Sequence, residues 1–192
     1  PRYVKGGVGN PSCKDDTTLW VKPSGTTLLG LDRDTFVAMD RARIAELYDS
    51  EAPQDRTARE AFVKDEMAAA VLPGSSGRPS VEAPLHNAFD TVYVVHTHPA
   101  LVNGMTCAVD GAATCARLFP DALWIPFTDP GYKLSMTVRG EIEAFKQKHG
   151  SEPALVFLEN HGVFVGADDP DTMRRLYKDM MGVLEQTYRD AG

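Results

Sequence analysis

Cysteine, long apolar runs and positive charge are all scarce in this 192-residue chain, and each scarcity excludes something. The three cysteines, Cys13, Cys107 and Cys115, are odd in number and far apart. That argues against a disulfide framework and makes a reducing cytoplasm the expected setting, with the thiols read as small buried hydrophobes. No segment approaches the roughly 18–20 apolar residues needed to span a bilayer, so no membrane partner is expected. The opening Pro-Arg-Tyr-Val-Lys-Gly-Gly lacks the apolar run of a signal peptide, and a start at Pro1 reads as a processed or trimmed end. Lys and Arg number 20 against 27 Asp and Glu, a net charge of -7. Nucleic acid and anionic membrane surfaces are therefore not expected as partners. A phosphorylated small molecule remains compatible, provided that local backbone N–H groups, hydroxyls and a few cations hold it.

What is present is an ordinary globular composition, 43% hydrophobic and 24% charged, with no internal repeat and no low-complexity stretch. The length fits one domain over residues 1–192 with a single sizeable core. Strands are expected at 18–22, 36–39, 91–96, 123–127, 154–158 and 163–165, where β-branched and aromatic residues cluster between turn formers. Thr57 followed by Glu60 reads as a capping box opening a helix to about Val71. A short helix with Pro84 in its first turn should follow, then one after Pro99 carrying Leu101, Met105 and Val109. Residues 139–149 and about 170–188 are also expected to be helical, the last with Met173, Leu176, Met180 and Leu184 as a core or subunit-contact stripe. Strands and helices mix without strict βαβ alternation, which predicts a layered α/β architecture with a largely antiparallel sheet.

The chain has only five histidines: His86, His96, His98, His149 and His161. His96 and His98 are two apart at the end of a strand, so both side chains leave the same face and can share one ion. The alternative is a polar pair at a sheet rim. His161 lies in a break between two strands, before Gly162, where glycine permits an unusual conformation or a close approach; the plain alternative is an incidental histidine in a hairpin. Three histidine ligands leave a coordination position open, the arrangement of a catalytic zinc site. Glu82 is either a metal-side carboxylate or general base, or a glutamate favoured in a first helical turn by the helix dipole. His86 reads as a neighbour supporting Glu82 or as a packed core histidine, and His149 as a surface or capping residue.

The ordered series Gly9-Asn10, Lys22-Pro23-Ser24-Gly25, Pro79-Ser80-Val81-Glu82, His96-Thr97-His98-Pro99 and Asn160-His161-Gly162 resembles the class II aldolase/adducin family. That family includes fuculose-phosphate and rhamnulose-phosphate aldolases and ribulose-phosphate 4-epimerase. The stretch Gly6 to Lys14 with Leu19-Trp20-Val21-Lys22 is similar to the aldolase half of bifunctional rhamnulose-phosphate aldolase/dehydrogenases. No G-x-G-x-x-G dinucleotide unit occurs, so no dehydrogenase half is expected within these residues. The resemblance implies an α/β/α sandwich around a mostly antiparallel sheet, a homotetramer, and a lyase acting on a small sugar phosphate. It further implies Zn2+, with Mn2+ or Co2+ as substitutes, on His96, His98 and His161, and Glu82 as base. Asn10, Ser24, Gly25 and Ser80 match its phosphate positions, and Lys22 could add a charge. A 4-epimerase, or a non-catalytic adducin-like interaction domain, is the alternative. Val81 stands where the aldolases often have a second serine. Phe127 stands near their tyrosine acid, with Tyr132 as the nearest phenol.

Overall fold

The computed structural model describes residue 4 and residues 8–191; Gly6 and Gly7, part of the family-like opening stretch, lie outside the described residues. Seven strands form one sheet: β1 (Asn10–Lys14), β2 (Thr18–Val21), β3 (Val37–Asp40), β4 (Tyr93–Thr97), β5 (Leu123–Ile125), β6 (Leu155–Leu158) and β7 (Gly162–Ala167). Their order is β3-β2-β1-β4-β7-β6-β5, and every pairing is antiparallel except β5 with β6. The helices are α1 (Arg41–Glu46), α2 (Arg56–Ala69), α3 (Ala83–Ala88), α4 (Ala100–Thr106), α5 (Gly111–Leu118), α6 (Tyr132–His149) and α7 (Pro170–Asp190).

Period-2 alternation sorts the strands into two faces. Asn10 pairs with His96 and His96 with Phe164, while Ser12 pairs with Val94 and Val21. Residues directly opposite in an antiparallel pair share a face, so Asn10, Ser12, Val94, His96 and Phe164 all look the same way. That face is covered by α3 and α6 over Val94, Val156 and Phe164, and by α1 and α2 over Leu19, Val21, Val37 and Met39. The opposite face carries Phe157, Val163, Val165 and Ala167 under α4, α5 and α7. The result is the α/β/α sandwich with a mostly antiparallel sheet.

Several local expectations shift. β1 was not anticipated, because Asn10, Pro11 and Ser12 are poor strand formers; it sits in the middle of the sheet all the same. The cap of α2 is Asp55, whose carboxylate accepts from Ala58 N–H, rather than Thr57. The single helix expected after Pro99 is two helices, and Val109 falls fully exposed between them. α6 begins at Tyr132, a full two turns before the expected Arg139. α7 carries its stripe inward as expected, with Met180 and Leu184 each 1% exposed. His149 is exposed and stacks on Phe145. Among the described residues no helix is long and apolar enough to cross a membrane.

Candidate metal centre

β4 delivers His96 on the α3/α6 face, and His98 follows just past the strand end before Pro99 opens α4. The β6–β7 hairpin brings His161 to the same point. Asn160 takes the left-handed conformation there, with φ 58°, one residue before the histidine. Gly162 has an ordinary φ; its value is close approach. A Cβ on it would lie 2.6 Å from the Thr97 carbonyl oxygen and 2.8 Å from His98 Cδ2. Glycine therefore lets the hairpin press against the strand end that carries the other two histidines.

The three rings stand nearly perpendicular to one another, at 69°, 85° and 87°, with centroids 4.6–5.0 Å apart. One nitrogen from each lies within 4.8 Å of the others. The Nε2 atoms of His96 and His98 are 2.7 Å apart. His96 Nδ1 is 3.0 Å from the Val163 carbonyl oxygen, an acceptor only, so Nδ1 carries the proton and donates. Nε2 of His96 is then a free lone pair aimed at the other rings, the tautomer a metal requires. Phe164 stacks on the His96 ring at 4.1 Å and holds its plane. Burial pushes all three histidines below their ordinary pKa, with the nearby Glu82 opposing, which favours the neutral, ligating form. These donors fit a divalent metal ion.

Glu82 stands just before α3 and turns its side chain to the same site instead of capping the helix. Its Oε1 is 3.5 Å from His96 Nε2 and 3.8 Å from His161 Nε2, while Oε2 accepts from Asn10 Nδ2 at 2.6 Å. Burial works to raise this carboxyl, and the hydrogen bond from Asn10 is among the interactions that outweigh it and hold Glu82 below the ordinary carboxylate range. A cleft of about 250 Å3 opens beside it, lined by Glu82, Phe127, Thr128, Glu159, Asn160 and His161 among others. Glu159 is its second carboxylate, with Oε2 accepting from Phe127 N–H at 2.8 Å. Tyr132 does not line this cleft, and its hydroxyl donates to the Ser50 carbonyl.

Ser24, Gly25 and Ser80 sit where the turn after β2 meets the segment before α3. Pro23 bridges Pro79, and Ser24 N–H donates to the Arg78 carbonyl. Ser80 Oγ accepts from Asn10 Nδ2 and from Glu82 N–H, both at 3.2 Å. Gly25 has φ 82° and open space beside its Cα. Lys22 is only 3% exposed, its Nζ 3.4 Å from the Pro23 carbonyl, and burial lowers its pKa against the opposing field of Glu82. Arg78, not anticipated from sequence, donates to Ser24 Oγ at 2.8 Å. A second cavity of about 400 Å3, sharing Val81, Pro130 and Gly131 with the first, has Arg56, Arg59, Lys64, Arg78 and Lys133 among its lining residues.

The sandwich carries three histidines near strand ends and a glutamate at the start of α3, and comparison with known proteins places the chain in a family. The family model for the class II aldolase and adducin N-terminal domain matches residues 1–187, and the chain belongs to that family. The N-terminal class II aldolase domain of a conserved protein from Thermoplasma acidophilum superposes with a TM-score of 0.79 at 20% identity, covering 95% of this chain and 84% of that one. An L-fuculose 1-phosphate aldolase superposes with a TM-score of 0.61 at 14% identity, covering 98% and 79%. At such identities the likeness is one of fold. The uncharacterized oxidoreductase YuxG of Bacillus subtilis is 24% identical over 190 residues. The chain spans 26% of that relative's length.

Proposed function

We propose that this domain is a metal-dependent lyase of the aldolase type, cleaving or forming a C–C bond in a small sugar phosphate or related hydroxy-carbonyl compound. One observation carries the reading: the ring nitrogens of His96, His98 and His161 converge within 4.8 Å, with Glu82 Oε1 beside two of them. His96, His98 and His161 would hold the ion, zinc first and manganese or cobalt as substitutes. A bound divalent ion supplies Lewis acidity toward a carbonyl oxygen. Glu82 is the base: its carboxylate is kept ionised and reaches the mouth of the cleft, where it takes a proton from a substrate hydroxyl or from the carbon next to a carbonyl. Ser24, Gly25 and Ser80, with Lys22 behind them, offer hydroxyls, backbone N–H groups and a charge to a phosphate. Val81 and Phe127 remain large, apolar and exposed at the cleft, 64% and 59% respectively. Thr128 and Glu159 are among the polar residues that line the cleft beside the histidines.

We further take residues 1–192 as one domain that assembles as a homotetramer in the cytoplasm, and light scattering of the purified chain tests the assembly. The test of the function is turnover of a panel of ketose phosphates by zinc-, manganese- and cobalt-loaded protein. Glu82→Gln is expected to retain metal and lose turnover by roughly 100-fold or more. Unchanged turnover removes the base role. Product analysis separates a released aldehyde fragment from an isomerised sugar. Less than about half an equivalent of metal per chain after reconstitution would favour a non-catalytic interaction domain.

A further inference from the structure

Behind Glu82 lies a line of hydrogen bonds that reaches through the core to the centre of the sheet. Asn10 Nδ2 donates to Glu82 Oε2 at 2.6 Å and to Ser80 Oγ at 3.2 Å. Asn10 Oδ1 meets His86 Nε2, and His86 Nδ1 lies 2.7 Å from Ser12 Oγ. His86 is fully buried and Asn10 and Ser12 nearly so, at 0%, 7% and 3% exposure.

The chemistry fixes the direction of every bond in this line. A carboxylate only accepts, so the amide must turn its NH2 toward Glu82; the flipped amide would set two oxygens against each other. Oδ1 is then left for His86, which must carry its proton on Nε2 to meet it. Nδ1 is consequently a lone pair, and Ser12 donates to it in preference to the Val94 carbonyl, 3.5 Å away. The His86 ring is clamped edge-on against Phe164 at 5.5 Å, the same phenyl ring that stacks on His96.

We propose that Asn10 and His86 are positioning residues that tether one oxygen of Glu82 so that the other is aimed at the three-histidine centre. Resting on the functional reading above, this gives the two carboxylate oxygens different work. Oε2 is committed to the amide, and Oε1 alone faces His96 and His161. Asn10 has both amide hydrogens engaged, one on Glu82 and one on Ser80, so it orients both side chains at once. His86 in turn keeps the amide from rotating, and Ser12 keeps the ring in the one tautomer that can do so.

Two measurements test it. In 15N-labelled, metal-free protein, the His86 ring should show the Nε2–H tautomer with a slowly exchanging proton; an Nδ1–H tautomer overturns the line whatever reaction the domain runs. With a turned-over ketose phosphate in hand, His86→Phe and Asn10→Ala should lower kcat by about 10–100-fold, with metal content unchanged and KM within about threefold. A folded variant with unchanged kcat, or one whose loss lies in KM alone, refutes the positioning role. If His86→Phe does not fold, Ser12→Ala tests the same link more gently, with a smaller drop in kcat expected and none refuting it. Absence of turnover in the wild type tells against the functional reading, and the tautomer measurement still decides the tether.

Discussion

A single methyl group separates alanine from Gly162, and its absence here lets the hairpin approach β4 closely. Gly162→Ala would force backbone apart from Thr97 and His98. The expected result is a loss of roughly 1–3 kcal/mol in unfolding free energy and at least about tenfold weaker zinc binding in chelator competition; wild-type affinity would show the approach to be incidental. His86 yields a pH prediction. Burial pushes it down to about 3, with Glu82 opposing and His96 and Lys14 adding to the fall. The unfolded chain binds a proton near the ordinary 6.5 while the folded chain does not, so stability present above 6.5 is lost as pH falls toward 3. At about 1.4 kcal/mol per pH unit the full window is worth roughly 5 kcal/mol. The urea midpoint of metal-free protein should therefore fall between pH 6.5 and 4.5, and less steeply in His86→Phe. Equal slopes in the two proteins would contradict it.

Among the elements, α7 packs along one stripe: Met180, Met181 and Leu184 are each 1% exposed against the β7 face. Leu184→Ala should cost about 2–5 kcal/mol, measured by denaturant titration, with metal content unaltered because α7 lies on the face opposite His96. α7 was readable from its 3.6-residue period, as were β4 and the β6–β7 pair from their β-branched runs. β1 was not, since Asn10 and Ser12 occupy their strand for the sake of polar bonds to Glu82, Ser80 and His86 rather than for propensity. The same blindness hid the tether: two polar residues at period 2 look like loop until the sheet pairs them with His96 and Val94. The metal triad was legible through motif order, whereas Arg78 and Glu159 had no local pattern and emerged only when distant segments met. The split between α4 and α5 was also opaque, because nothing in Ala108-Val109-Asp110 breaks a helix outright.

For the molecule as a whole, the proposed ion is a ligand of the folded state. With zinc at 100 times its dissociation constant, unfolding should be harder by about 2.7 kcal/mol, and a chelator should reverse the gain. A His96→Ala/His161→Ala double variant should show no such response in thermal unfolding; a full response would place the ion elsewhere. A last consequence concerns synthesis. β1 is an inner strand, flanked by β2 and by β4, and its Ser12 pairs with Val94. At translation rates of about 5–20 residues per second, the roughly 80 residues between them take about 4–16 s to appear. During that interval one side of β1 has no partner strand, and Asn10 has neither His86 nor Glu82 to bond. Nascent chains are therefore most exposed to misassociation in that window, and slower elongation between the codons for Asp15 and Val95 should lower the soluble yield.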